Sequence, residues 1–369
     1  MMEVLSRVRG LVVGYCLGDA LARSPEPWTG SLVAGTPSLM FLTGVEGLIR
    51  GLVRADVTGR DGGLAEACWH ATARWAAWTR MTSLPQVVRW ADAASPQPWP
   101  DGWLSHLSLL SHGRGSAPAV EAALEAPDLD PRPGMSGADS AGDLVLSRTL
   151  PIALLAVAHR SGELGGAGLD EESAARILAQ ARDVAGYTHG LPAQVTAVAL
   201  ARTLAEDLVT GEVHPLTGLA DLSAAYQGIP GGDEVIKARV ALRALADQRP
   251  PHLPVTELAT RGVPSGPRTA LRAVAEGLRC ALTHPGREEV DKAVAEATRT
   301  GQPAAAAVAL AMVGAAHGLT AFPVDAVARL DVGHVADQLA SDVVHQARNH
   351  PVLGDAGAAS TWLHRYPAW

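Results

Sequence analysis

Two acids and a histidine are placed where they could exchange protons with a ligand. Asp19 ends the glycine-rich run VRGLVVGYCLGD, and Glu26 follows seven residues later in the turn-forming stretch SPEP. Thr188 and His189 stand in GYTHGLPAQV, just ahead of a helix-like pattern with Pro192 near its first turn. Carboxylates and imidazole are the usual general acid–base groups, so Asp19, Glu26 and His189 are the candidate catalytic residues. Two arginines accompany them. Arg148 in LVLSRTLP precedes Pro151 and an apolar helix, and Arg114 in SHGRGSAP lies between two glycines, where backbone can approach an anion closely. Each residue also has a plainer use. Asp19 and Thr188 can cap helices, and Arg148 can neutralise carbonyls at a helix end.

Other chemistries are excluded by pattern. The chain contains no P-loop, HExxH, GxSxG or GxGxxG motif. Its 13 histidines are scattered, and His345 and His350, five apart, do not share a helical face. Cys16, Cys68 and Cys280 are odd in number and far apart, which fits neither a disulfide framework nor a zinc site and suits a reducing cytoplasm. The formal charge of −8 argues against a nucleic-acid binder. Lys237 and Lys292 are the only lysines, and this arginine- and alanine-rich usage fits a GC-rich genome.

The elements that must position these residues read as helices. Apolar residues recur at helical spacing over 63–81, 172–189, 191–211, 269–284 and 287–301. Gly211, Gly301 and Gly318 sit where helices stop, and Asp170 and Thr256 sit where helices start. Long alternating runs are missing. Segments 24–38, 126–143 and 246–267, dense in Pro and Gly, read as irregular. A content of 47% hydrophobic and 18% charged residues supports a sizeable core. The expectation is an all-α, single compact multi-helix domain over 1–369. The alanine-rich stretch QPAAAAVALAMVGAAH (302–317) is expected to be a helix buried on all sides, not a membrane span, because arginine-rich flanks and aromatic belts are missing. Trp69, Trp75 and Trp78 fall in one helical segment and read as core, with a stacking platform for a flat ligand as the alternative.

Taken in order, GDAL with its glutamate seven residues on, SHGRGSAPAVEAAL, LVLSRTLP, THGLP and the late VGAAHG resemble the ADP-ribosylglycohydrolase family, over roughly residues 8 to 345. The resemblance implies a compact all-α fold and hydrolysis of the bond that joins ADP-ribose to arginine, serine or a small leaving group. It also implies a magnesium pair held by a Thr-Asp-Asp segment after the first loop and an Asp-x-Asp-Thr segment opening the late helix. Glu26 would lie on a loop near those ions.

The chain departs from that pattern at both metal motifs. Where the first belongs it reads TPSLMF, with Met40 and Phe41 expected to line the ligand pocket; where the second belongs it reads GQPA, with Pro303 and Ala304. Thr188, Arg114 and Arg148 complete the expected pocket. Hard dications need oxygen ligands, so no metal and no cofactor is expected. The expectation is a pseudoenzyme, a family scaffold that binds a small molecule or a protein partner, with neither nucleic acid nor membrane involved. Two alternatives stay open: a metal-independent enzyme using Glu26, Asp19 and His189, or a magnesium-dependent hydrolase whose ligands have moved, with Glu46 or Glu296 reaching the site.

Overall fold

The computed structural model describes residues 2–60, 63–91, 97–128, 136, 138–158, 168–247, 266 and 268–368. Sixteen α-helices lie among them: α1 (Met2–Arg23), α2 (Thr36–Thr58), α3 (Leu64–Trp78), α4 (Pro85–Ala91), α5 (Pro118–Glu125), α6 (Leu144–Thr149), α7 (Glu171–Gly186), α8 (Leu191–Thr210), α9 (Leu222–Ala225), α10 (Gly232–Ala246), α11 (Ala270–Thr283), α12 (Val290–Arg299), α13 (Pro303–His317), α14 (Val324–Arg329), α15 (Gly333–Asn349) and α16 (Ala356–Arg365). The five predicted helical segments correspond to α3, α7, α8, α11 and α12 within a few residues. Gly211 and Gly318 end α8 and α13 with φ of 78° and 80°, and Gly301 follows α12 at 59°. These left-handed turns are the reason glycine stands there. Asp170 caps α7 by accepting the Ser173 N–H at 2.7 Å. Thr256 and nearly all of 246–267 lie outside the described residues, as does the middle of 126–143.

The alanine-rich stretch is α13, and every residue from Ala304 to Ala316 is buried. It packs against α1, α11 and α12. Small side chains set the depth of that packing. A methyl group at Gly10, Gly14 or Gly18 of α1 would overlap the backbone of Gly314, Leu310 and Ala306, one turn apart along α13. Two backbones can approach this closely only where both faces lack bulk. Among the described residues no helix is long and apolar enough to cross a membrane, and the only β-bridges are the isolated pairs Leu32–Leu330 and Gly142–Thr269.

Helix α2 is anchored by charge as well as by apolar contact. Glu46 accepts from both Arg50 and Arg74; Arg50 also donates to Asp101 Oδ1 at 2.9 Å and to its carbonyl at 3.0 Å. All four side chains are fully buried. Arg74 bonds His70 Nδ1 at 2.9 Å, and burial together with the arginine charges holds His70 neutral. His70 in turn stacks on Trp99, 4.9 Å between ring centres. This network ties α2, α3 and the segment around Asp101 into one unit.

Candidate functional site

A cavity of about 540 Å³ opens where α1 ends and where α2, α6, α8 and α13 begin. Its floor is built by two helix starts. Helix α2 begins Thr36-Pro37 and α13 begins Pro303-Ala304, each with proline in the first turn and neither with a side-chain cap. First-turn N–H groups lack partners within their own helix and carry the positive end of its dipole. Gln302, Gly301, Arg23, Arg114, Asp143, His189 and Arg268 contribute to the walls.

The two flanking loops are held by backbone pairing. Asp143 N–H donates to the Arg268 carbonyl at 3.1 Å, and Ala270 N–H to the Ala141 carbonyl at 2.9 Å. Residues 125 positions apart in sequence are thereby brought to one rim. Gly190 N–H donates to the Ser140 carbonyl at 2.9 Å, which sets His189 against the same loop. Asp143 is raised to about 6, chiefly by burial, against the opposing pull of Arg268 and Arg23. It is the one acid among the described residues that line the cavity.

His189 is 1% exposed. Arg148 donates to Thr188 Oγ1, which leaves the hydroxyl hydrogen for His189 Nδ1 at 2.7 Å. When the hydroxyl donates to Nδ1, the proton of the neutral ring sits on Nε2. That atom is buried and bonds no protein group, and its residue lines the cavity. Burial, then the charge of Arg148, lowers the imidazole to about 3, so the ring is neutral at neutral pH. Thr36 Oγ1 is likewise buried without a partner. Arg148 itself donates to the Val184 carbonyl near the end of α7, at 3.4 Å, and its guanidinium lies 5.3 Å from the centre of the Trp69 ring.

The other expected site residues are placed differently. Asp19 caps neither end of its own helix. It lies within α1 and accepts from Arg23 Nε at 2.6 Å, Gly35 N–H at 2.7 Å and Ser38 Oγ at 2.6 Å. It thus staples α1 to the start of α2 and has no free oxygen positioned to act on a ligand. Thr188 lies two residues ahead of the α8 N-cap, which is Gly190. Glu26 is exposed on a turn whose carbonyls at Pro27 and Gly30 are held by Arg329, and it does not line the cavity. Arg114 lines the cavity, but it also donates to the carbonyls of Ala34 (2.9 Å) and Leu109 (3.1 Å) and pairs with Asp331, and so positions the loop before α2. Met40 and Phe41 are buried one turn deeper than expected; Phe41 stacks on Tyr15 at 4.2 Å, and Thr36 and Pro37 take the cavity wall. Pro303, Ala304 and Arg114, named for the pocket, line this cavity, and so does His189, named as a catalytic candidate. The three tryptophans of α3 are core, with Trp69 stacked on Tyr187 at 4.8 Å.

Arg23, Asp143, Arg268 and Gln302 are not legible in the sequence as site residues. A signal exists only for Asp143, which stands immediately before the apolar run LVLSRTLP, at a helix start.

No curated protein matches the chain. A solved structure described as an ADP-ribosylglycohydrolase-related protein complex has 19% identity and a TM-score of 0.49, covering 94% of this chain and 100% of its own. The family model for ADP-ribosylglycohydrolase matches residues 1–352. With that match over nearly its whole length, the chain belongs to the ADP-ribosylglycohydrolase family.

Proposed function

We propose that this chain keeps the family scaffold as a binding module and has given up binuclear magnesium chemistry. The observation that carries the reading is the donor set at the two helix starts. Two dications require several oxygen ligands, carboxylates above all. Thr36, Pro37 and Ser38 stand at one helix start and Gln302, Pro303 and Ala304 at the other; Ser38 already donates to Asp19. Among the described residues, no three His, Cys, Asp or Glu side chains lie together in a way that could hold a metal ion. This set does not fit a magnesium pair.

Relocated ligands find no support. Both oxygens of Glu46 are committed to buried arginines, and Glu296 pairs with Arg279 at 2.7 Å and Arg299 at 3.0 Å. The test is calorimetric titration with Mg²⁺, beside an assay on ADP-ribosylated arginine and serine peptides. The expected result is no Mg²⁺ binding and no metal-dependent turnover. Release of ADP-ribose that requires Mg²⁺ would end this reading.

One observation favours a second reading, a metal-independent enzyme. Asp143 faces the cavity and is raised to about 6, near the range of a working acid. A pH–rate profile on ribosides that shifts in Asp143→Asn would select it over the binding module. Asp19 and Glu26 are less suited to the role for the reasons of placement given above.

A further inference from the structure

Asp101, the fourth member of the buried charge network, belongs to no helix. It lies 2% exposed ahead of the short 3-10 turn Trp103–His106, and Arg50 holds both its carboxylate, at 2.9 Å, and its carbonyl, at 3.0 Å. Helix α16 covers the other side of this segment. The His364 carbonyl accepts from Gln97 Nε2 at 2.8 Å, and the Arg365 guanidinium lies 4.0 Å from the centre of the Trp103 ring. Gly102 is the thinnest point. Its φ is 83°, and a methyl group there would overlap Arg50 Nη2 on one side and meet the Arg365 carbonyl on the other. A single glycine thus separates the network from α16.

We propose that α16 is a releasable latch: its last turn closes segment 97–106 over the Arg50–Asp101 pair, and its departure opens that pair to water. Two features carry this. The first is that the helix is held at one end. Asp355 caps it by accepting from the N–H groups of Gly357 and Ala358, both at 3.0 Å, while Ala356, Gly357, Ala358, Ser360 and Thr361 are exposed. The docking bonds come from the far end, and all reach α15. Trp362 Nε1 donates to Gln346 Oε1 at 2.7 Å, Arg365 Nε to Asp342 Oδ2 at 2.9 Å, and the buried Tyr366 hydroxyl to the same oxygen at 2.6 Å. An element with few buried contacts opens at low free energy. The second feature is what lies beneath. If segment 97–106 lifts, Asp101 leaves with it, and Glu46 alone faces Arg50 and Arg74. A buried charge that loses its partner is costly, so the closed state is favoured and the open state has a defined penalty. The same segment runs on to Leu109, whose carbonyl is held by the cavity-wall residue Arg114 at 3.1 Å. Release of α16 therefore reaches toward that wall.

The experiment is hydrogen–deuterium exchange of the full chain, read by mass spectrometry. The double variant Arg365→Ala/Tyr366→Phe removes two donors to Asp342 and the contact with Trp103. Thr361→Ala, exposed on the same helix, is the control. Expected in the double variant is exchange about tenfold faster over 356–366 and over 97–110, with α8 and α13 at parent rates; the control should match the parent. Gln97→Ala tests the link from the other side. Coupling between two segments is mutual, so 356–366 should exchange faster in this variant too. Faster exchange over 356–366 with 97–110 unchanged would overturn the latch. Equal acceleration in α8 and α13, in both the double variant and Gln97→Ala, would overturn it as well, because the segment would then open only with the whole fold.

Discussion

Helix α2 handles charge in opposite ways along its length. Its first turn, Thr36 to Ser38, meets the cavity and carries no acid of its own; the Asp19 carboxylate reaches it from α1. Further along the helix, Glu46 and Arg50 are fully buried and bonded to Arg74 and Asp101. The acids that remain in the interior are those with a protein partner: Glu46 and Asp101 in the network, and Asp19 at the α1–α2 staple. One acid, Asp143, faces the cavity. The residues that anchor α2 and those that meet the cavity are thus separate along one helix.

The largest contrast should come from breaking the network. Glu46→Ala leaves two guanidiniums in the interior with only Asp101 to offset them, and removing one partner of a buried ion pair costs about 3–5 kcal/mol. Arg268→Ala, at the exposed rim, should fall within about 0.5 kcal/mol of the parent. Urea midpoints for the two variants test the comparison directly. Similar midpoints would mean that the network does not anchor α2.

A second effect concerns pH. His189 is held at about 3 against an ordinary 6.5, by burial and then by Arg148. The imidazole is neutral in the fold, so on acidification the unfolded chain takes up the proton first. The stability it contributes is complete above about pH 6.5 and is lost as pH falls from there toward 3. A tenfold difference in proton affinity between folded and unfolded chain is worth about 1.4 kcal/mol, so several kcal/mol are at stake. Asp143 runs the other way: raised from 3.8 to about 6, it leaves the fold most stable below about pH 4 and weakens it as pH rises through 6. Between about pH 4 and 6 the two slopes oppose each other, so unfolding curves of the parent should be nearly flat there, whereas His189→Gln should gain stability as pH falls from 6 to 4. An unchanged slope in the variant would place the acid sensitivity elsewhere.

A third test addresses the seam beneath the cavity. Gly14→Val would push a side chain into the Leu310 carbonyl and the Phe322 ring, and overpacking of this kind costs about 1–3 kcal/mol. Thermal denaturation should show the loss. A tolerated valine would mean that α1 and α13 can separate freely.

These contrasts also explain what can be read from the sequence. Helices and their stops are legible because they depend on local spacing: the apolar period over 191–211 and the glycine at 211 suffice to place α8 and its end. Burial of α13 is legible because between Gln302 and His317 no side chain can carry charge. The register of the cavity wall is not. Met40 and Phe41 stand out in the sequence as apolar replacements, but one helical turn separates the wall from the core, and Thr36 and Pro37 take the wall. Arg23, Asp143 and Arg268 meet only because the Gly142–Thr269 bridge joins two irregular segments. Single polar residues in loops carry no periodic signal, so nothing in the sequence announces that meeting.

The smallest effect concerns the start of α13, where stability should rise. Gln302 is the N-cap of α13 in extended conformation and makes no capping bond; its side chain reaches Glu276 at 3.3 Å. Gln302→Asp supplies an oxygen for the first-turn N–H groups and a negative charge at the positive end of the helix, and should stabilise the fold by about 0.5–1 kcal/mol, less whatever repulsion Glu276 exerts. Thermal denaturation tests it: a variant that melts no higher than the parent would mean that the open start of α13 costs the fold nothing, or that Glu276 cancels the gain.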